Sequence, residues 1–172
     1  MKRFITYTFL IIFCFLLQTT VFHRISFGGI VPNLLIVVTA SLGFMRGDRT
    51  GLVVGLFCGL LIDIFFGDVI GLYAMIYMYL GYLNGKFSGI FYPEDLKLPL
   101  ILILFSNLFY GLFTYLLLFM MRSRFNFEFY FKNVIFPEII YTLLVALVLY
   151  PLILFFNYLL EGQRFKRTEE DV

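Results

Sequence analysis

Tryptophan is absent from this chain, histidine occurs once, cysteine twice, and only 14% of its 172 residues are charged. A soluble domain of this size carries about a quarter charged residues. The net charge of +2 forms no concentrated basic surface, which argues against nucleic acid as a partner. Cys14 and Cys58 lie inside apolar runs, at no metal or redox spacing, and read as small buried side chains. His23 follows the first apolar run and has no convergent partners, so it reads as an interfacial residue. Phosphate-loop, HExxH and GxSxG patterns are missing, and no nucleophile can be placed beside a general base. No metal, cofactor or catalytic residue is expected. The chain reads as a scaffold more readily than as an enzyme.

What the chain does have is hydrophobic length. Apolar residues make up 62% of it, and the mean hydropathy is +0.96. A compact soluble fold has too little interior to hide that surface. In lipid the backbone must satisfy its own hydrogen bonds, which leaves helices or a closed barrel. The apolar runs are continuous rather than alternating in short segments, which selects helices. The expected fold class is all-α, a polytopic transmembrane helical bundle.

Lys2 and Arg3 precede a first run from Phe4 to Phe22 that shows no small-residue cleavage site. After a loop ending in Gly28 and Gly29, Pro32 and Asn33 open a second run through Phe44, with Pro32 placed in the first helical turn. A third runs from Thr50 to Phe66 and a fourth from Val69 to about Leu83. A fifth ends at Met121, and a sixth covers Val134 to Leu160. Runs two to four are near the lower limit of about 17 residues for a span, so five spans is the fallback to six. One transmembrane domain, residues 1–160, is expected, with a charged, disordered cytoplasmic tail over 161–172. With six spans, nine Lys and Arg fall on the side of the termini and four on the other, which puts both termini in the cytoplasm.

Gly51, Gly55, Gly59, Asp63, Gly67 and Gly71 recur every fourth residue. On a helix these share a face, and the first three make a ridge that another helix can approach closely. Internal packing and a partner interface are both open, and they are compatible. Gly67 and Gly71 are expected at the turn between helices, with positive φ. Asp63 continues the stripe, and a carboxylate at a helix centre costs about 2.5–3.5 kcal/mol on insertion scales. Three roles stay open for it: a hydrated group beside Asp68, a buried hydrogen bond to Tyr73, Tyr77 or a basic residue, and proton or substrate handling. Glu138 is expected in the first turn of the last span, where an acid suits the helix dipole. Phe125, Phe127, Phe129 and Phe131 alternate with polar residues, a period of two that suggests an extended segment or an irregular interfacial anchor. The tyrosines, including Tyr73, Tyr77, Tyr110 and Tyr130, fit interfacial belts and interhelical hydrogen bonds. Polar groups available near the midplane are few: Asp63, Ser106, Asn107, Gln18, Thr39 and Thr142.

Three local patterns resemble the MreD family of bacterial rod shape-determining membrane proteins. They are Ile30-Val31-Pro32-Asn33-Leu34-Leu35, the run from Gly51 through Asp63 to Gly67 and on to Gly71-Leu72-Tyr73-Ala74, and Leu80-Gly81-Tyr82-Leu83-Asn84-Gly85. The final spans agree in character only. The resemblance implies a bacterial inner-membrane protein of the elongation machinery. Its implied partners are MreC, RodA, a transpeptidase and, indirectly, MreB filaments, together with membrane lipids. It also implies a fold similar to the substrate-binding subunits of energy-coupling-factor transporters. The Gly51–Gly55–Gly59 ridge and Asp63 would then form a groove for the membrane helix of MreC, or hold its wall in place. The competing class is a small-molecule-binding membrane subunit of a vitamin-type transporter, against which the scarcity of midplane polar groups argues.

Overall fold

The computed structural model describes the backbone of residues 2–26, 29–67, 69–88, 96–122 and 127–170. Gly28, Asp68, Tyr92, the polar stretch 89–95 and residues 123–126 lie outside the described residues. Among those described there are six helices. The first, α1, runs Lys2–Leu16, through a π-helical turn at Leu17–Val21, to Phe22–Arg24. Then follow α2 (Leu34–Arg46), α3 (Asp48–Phe66), α4 (Leu72–Lys86) and α5 (Lys97–Arg122). The last, α6, begins at Phe127–Tyr130, passes a second π turn at Phe131–Ile135 and continues as Phe136–Glu170.

Four stretches are long and apolar enough to cross a membrane: Ile5–Arg24, Asp48–Phe66, Lys97–Leu117 and Phe127–Leu159. Their outward faces are apolar, with Phe9, Phe65, Phe105 and Val148 all more than 60% exposed. So large an apolar surface on a monomer belongs against lipid or another protein. The helical bundle expected from the sequence is therefore the observed architecture.

Each π turn has a local cause. At the first, the Thr19 hydroxyl donates to the Phe15 carbonyl at 2.9 Å and the Thr20 hydroxyl to that of Leu16. Such back-bonding competes with the helical ladder. At the second, Pro137 has no N–H to return to the carbonyl four residues earlier.

Helix α2 is the centre of the bundle. Every residue from Leu34 to Phe44 is buried, and the helix touches all five others. Thirteen residues rise only about 20 Å, short of the hydrocarbon thickness, but protein surrounds the helix from Leu34 to Phe44. Asn33 is its N-cap, accepting from the Ile36 N–H at 3.2 Å. Pro32 therefore sits just before the cap and outside the first turn, two positions ahead of the first helical residue, Leu34. Gly47 alone links α2 to α3; its φ of 94° is open to glycine at no steric cost.

Two further sequence expectations are corrected. Residues 127–135 are helical and not extended: Phe127 packs against Phe131 one turn away, with ring centroids 5.7 Å apart, and Lys132 pairs with Glu128 at 2.7 Å. Both are i,i+4 contacts, and the helix keeps its backbone hydrogen bonds internal at the membrane edge. Glu138 lies in the first turn of the Phe136–Glu170 segment, the place expected for it. Finally, α6 continues to Glu170 where a disordered tail was expected. Apart from Gly162, the residues from Glu161 to Arg167 do not oppose a helix, and several favour one.

Candidate functional site

The glycine ridge and Asp63 lie in the hairpin made by α3 and α4. A Cβ on Gly51 would strike the Gly81 carbonyl, one on Gly55 the Tyr77 carbonyl, and one on Gly59 the Ala74 Cα. The fit is reciprocal, since a Cβ on Gly81 would meet the Gly51 carbonyl and one on Gly85 the Asp48 backbone. Gly43 of α2 joins the same seam, its Cβ position lying 2.7 Å from the Gly81 carbonyl oxygen. Backbone thus meets backbone along about three turns, the close approach that holds helices together in lipid. The Gly51–Gly55–Gly59 ridge is covered by α4. The sequence showed this stripe but missed its complement, Ala74, Gly81 and Gly85, because the second half carries tyrosines between its small residues.

Asp63 sits at the end of that seam, 1% exposed. Its Oδ2 accepts from the N–H groups of Gly71 at 3.0 Å and Ala74 at 2.9 Å, and its Oδ1 from that of Tyr73 at 2.9 Å. The partners are backbone amides and not the hydroxyls of Tyr73 or Tyr77 that the sequence suggested. The first amides of a helix have no partner in the helix and carry its positive dipole end. A carboxylate from the preceding helix fills that need from eight to eleven residues away. Gly71 has φ of 104°, as expected. Gly67 does not: its φ of −81° is extended backbone, and its N–H closes α3 on the Asp63 carbonyl at 3.1 Å. Glycine is required there because a Cβ would lie 2.7 Å from that same carbonyl oxygen.

Asn33 gathers a second set of polar groups at this end. Its Oδ1 accepts from the Tyr77 hydroxyl at 2.7 Å as well as from Ile36, and its N–H donates to the Thr142 hydroxyl at 3.0 Å. Gln18 Oε1 accepts from the Leu35 N–H at 3.3 Å. Glu138, one turn before Thr142, faces the Asn33 side chain. Four helices, α1, α2, α4 and α6, are thereby joined through short polar contacts that no sequence spacing reveals. Tyr77 and Tyr73 also pack on Tyr110 of α5, with ring centroids 5.5 and 6.1 Å apart. A half-open cavity of about 300 Å³ lies beside them, lined by Gln18, His23, Tyr73 and Tyr110 among others. Deeper in the bundle, Asn84 donates to Ser106 at 2.8 Å, while the Asn107 amide nitrogen is buried with no partner among the described residues.

At the opposite end, Arg46 Nε donates to Asn157 Oδ1 at 2.7 Å, and the Tyr7 hydroxyl reaches the same oxygen at 3.4 Å. This ties α1, α2 and α6. Cys14 and Cys58 are both fully buried free thiols. Among the described residues no three His, Cys, Asp or Glu side chains come together as metal ligands would.

The model of the rod shape-determining protein MreD family matches residues 1–159. The chain belongs to the MreD family. Its role is in rod-shape determination, and its apolar helices agree with the membrane location of that family. Within this MreD-family bundle, the conspicuous sequence motifs join helix to helix: the glycines close a hairpin, Asp63 caps it, and Asn33 anchors its neighbours. No curated protein and no solved structure matches the chain.

Proposed function

We propose that this chain is a non-enzymatic scaffold of the cell-elongation machinery, lying in the bacterial inner membrane with both termini in the cytoplasm. Its direct partner in this reading is the membrane helix of MreC, and through MreC it helps organise lateral peptidoglycan synthesis with RodA, a transpeptidase and MreB. One observation carries the reading. The buried carboxylate of Asp63, the residue best suited to chemistry, is spent on three backbone amides. A group so committed holds a surface rigid and leaves no base for a reaction. The glycine ridge, already covered by α4, is the wall behind the partner's groove and not the groove itself.

Co-expression with a candidate MreC, followed by co-purification against single-span control proteins, tests the reading. A selective, stable complex supports it. A folded chain that never retains MreC sinks it. Reporter fusions at the two termini test the orientation, and signal from opposite sides of the membrane would refute it.

The cavity beside Tyr73 and Tyr110 favours a second reading, a membrane subunit that binds a small molecule. Mass spectrometry of the purified chain separates the two, because a water-soluble small molecule, as distinct from a lipid, retained in stoichiometric amount supports transport.

A further inference from the structure

We infer that the cleft between α1 and α3 at the Arg46 end is a binding site for an anionic phospholipid, with the phosphate on Arg46 and Arg49 and an acyl chain along Ile11, Val53 and Phe57. The cleft encloses about 410 Å³ and is half open. Its lining changes along the helices: Arg46, Arg49 and Tyr7 lie near helix ends, and Ile11, Val53 and Phe57 lie one to two turns further along α1 and α3.

From Arg49 to Phe57 the helix rises about 12 Å. The slot therefore has a cationic mouth at the membrane surface, and its lining reaches about 12 Å along the helix, most of one leaflet's hydrocarbon depth of about 15 Å. A free phosphate would satisfy the mouth and leave the wall empty, whereas a phospholipid matches both. Asp48, the adjacent acid, is turned away from the rim: its Oδ1 accepts from the Arg49 N–H, and it does not line the cleft. Arg46 is held in place by Asn157, so one cation is fixed while Arg49 is exposed and adaptable.

Basic residues near a membrane surface recruit anionic lipids, and most basic residues of this chain fall on the side that carries Arg46 and Arg49.

The test is native mass spectrometry of the full chain in detergent, titrated with phosphatidylglycerol and with phosphatidylcholine. The wild type should retain phosphatidylglycerol preferentially. Arg49→Gln should lower that retention about fivefold, the effect expected of one basic residue at an anionic surface, and Arg49→Lys should restore most of it. Val53→Trp should fill the slot and remove the bound lipid, while Cys14 and Cys58 stay buried from a maleimide as evidence of folding. Equal retention of both lipids, unchanged by Arg49→Gln, overturns the proposal. Displacement of the lipid by millimolar inorganic phosphate overturns the lipid source. Loss of a co-purifying single-span protein in Val53→Trp, with phosphatidylglycerol retention intact, assigns the cleft to a protein helix and also overturns it.

Discussion

The carboxylate of Asp63 accepts the backbone N–H of Ala74 at 2.9 Å, so the end of α3 caps the start of α4. Two further amides, of Gly71 and Tyr73, share the same carboxylate. Hydrogen bonds to a charged acceptor are each worth about 1.5–3 kcal/mol, and buried amides left without one are costly.

Asp63→Ala should therefore destabilise the chain by on the order of 3–5 kcal/mol. Asp63→Asn keeps one acceptor oxygen and turns an NH₂ toward the remaining amides, so it should lose an intermediate amount. The thermal midpoint of the detergent-solubilised variants gives the order. Two variants as stable as wild type would show that the cap is dispensable.

Gly55→Leu or Gly59→Leu should prevent the hairpin from closing, because the added side chain meets backbone and cannot be accommodated by a rotamer change. Overpacking a core with movable side chains costs about 1–3 kcal/mol, and here nothing movable is in the way. A Cβ at Gly47, by contrast, meets no atom within 4 Å, so Gly47→Leu is strained chiefly by the φ of 94°. It should accumulate better than the Gly55 variant in membranes, as read by immunoblot.

Tyr77→Phe removes one neutral hydrogen bond to Asn33 and should cost about 1 kcal/mol. Asn33→Ala removes that bond and the cap of α2 together, and should cost about 2 kcal/mol or more. In the double variant the Tyr77 contribution should vanish. Strict additivity in that cycle would mean the two side chains do not interact.

Cys14 and Cys58 should resist a membrane-permeant maleimide in the folded protein and react after denaturation, since both are fully buried. Labelling of either thiol in the native chain would contradict the packing of α1 against the core.

The six helices and the glycine stripe were legible because both are local: apolar length marks a span, and i,i+4 spacing marks a face. What covers a face depends on residues far along the chain. The stripe at Gly51–Gly59 therefore left internal packing and a partner interface both open, and only the fold placed Gly81 opposite Gly51. Asp63 was legible as an anomaly, while its partners were hidden because backbone amides leave no mark in a sequence. The phenylalanines at 127, 129 and 131 misled for a different reason. A segment with phenylalanine at alternate positions also places Phe127 and Phe131 one turn apart, and period alone does not separate the two conformations.

The enclosure of α2 also has a consequence for biogenesis. The second helix to be synthesised is sealed by the last, because the N–H of Asn33 waits for the hydroxyl of Thr142, more than a hundred residues later. Until α6 has been released from the ribosome and inserted, α2 has one flank open. A chain interrupted before α6 would carry all the hairpin motifs and still present an unfinished surface, the kind of surface that membrane proteases and chaperones recognise.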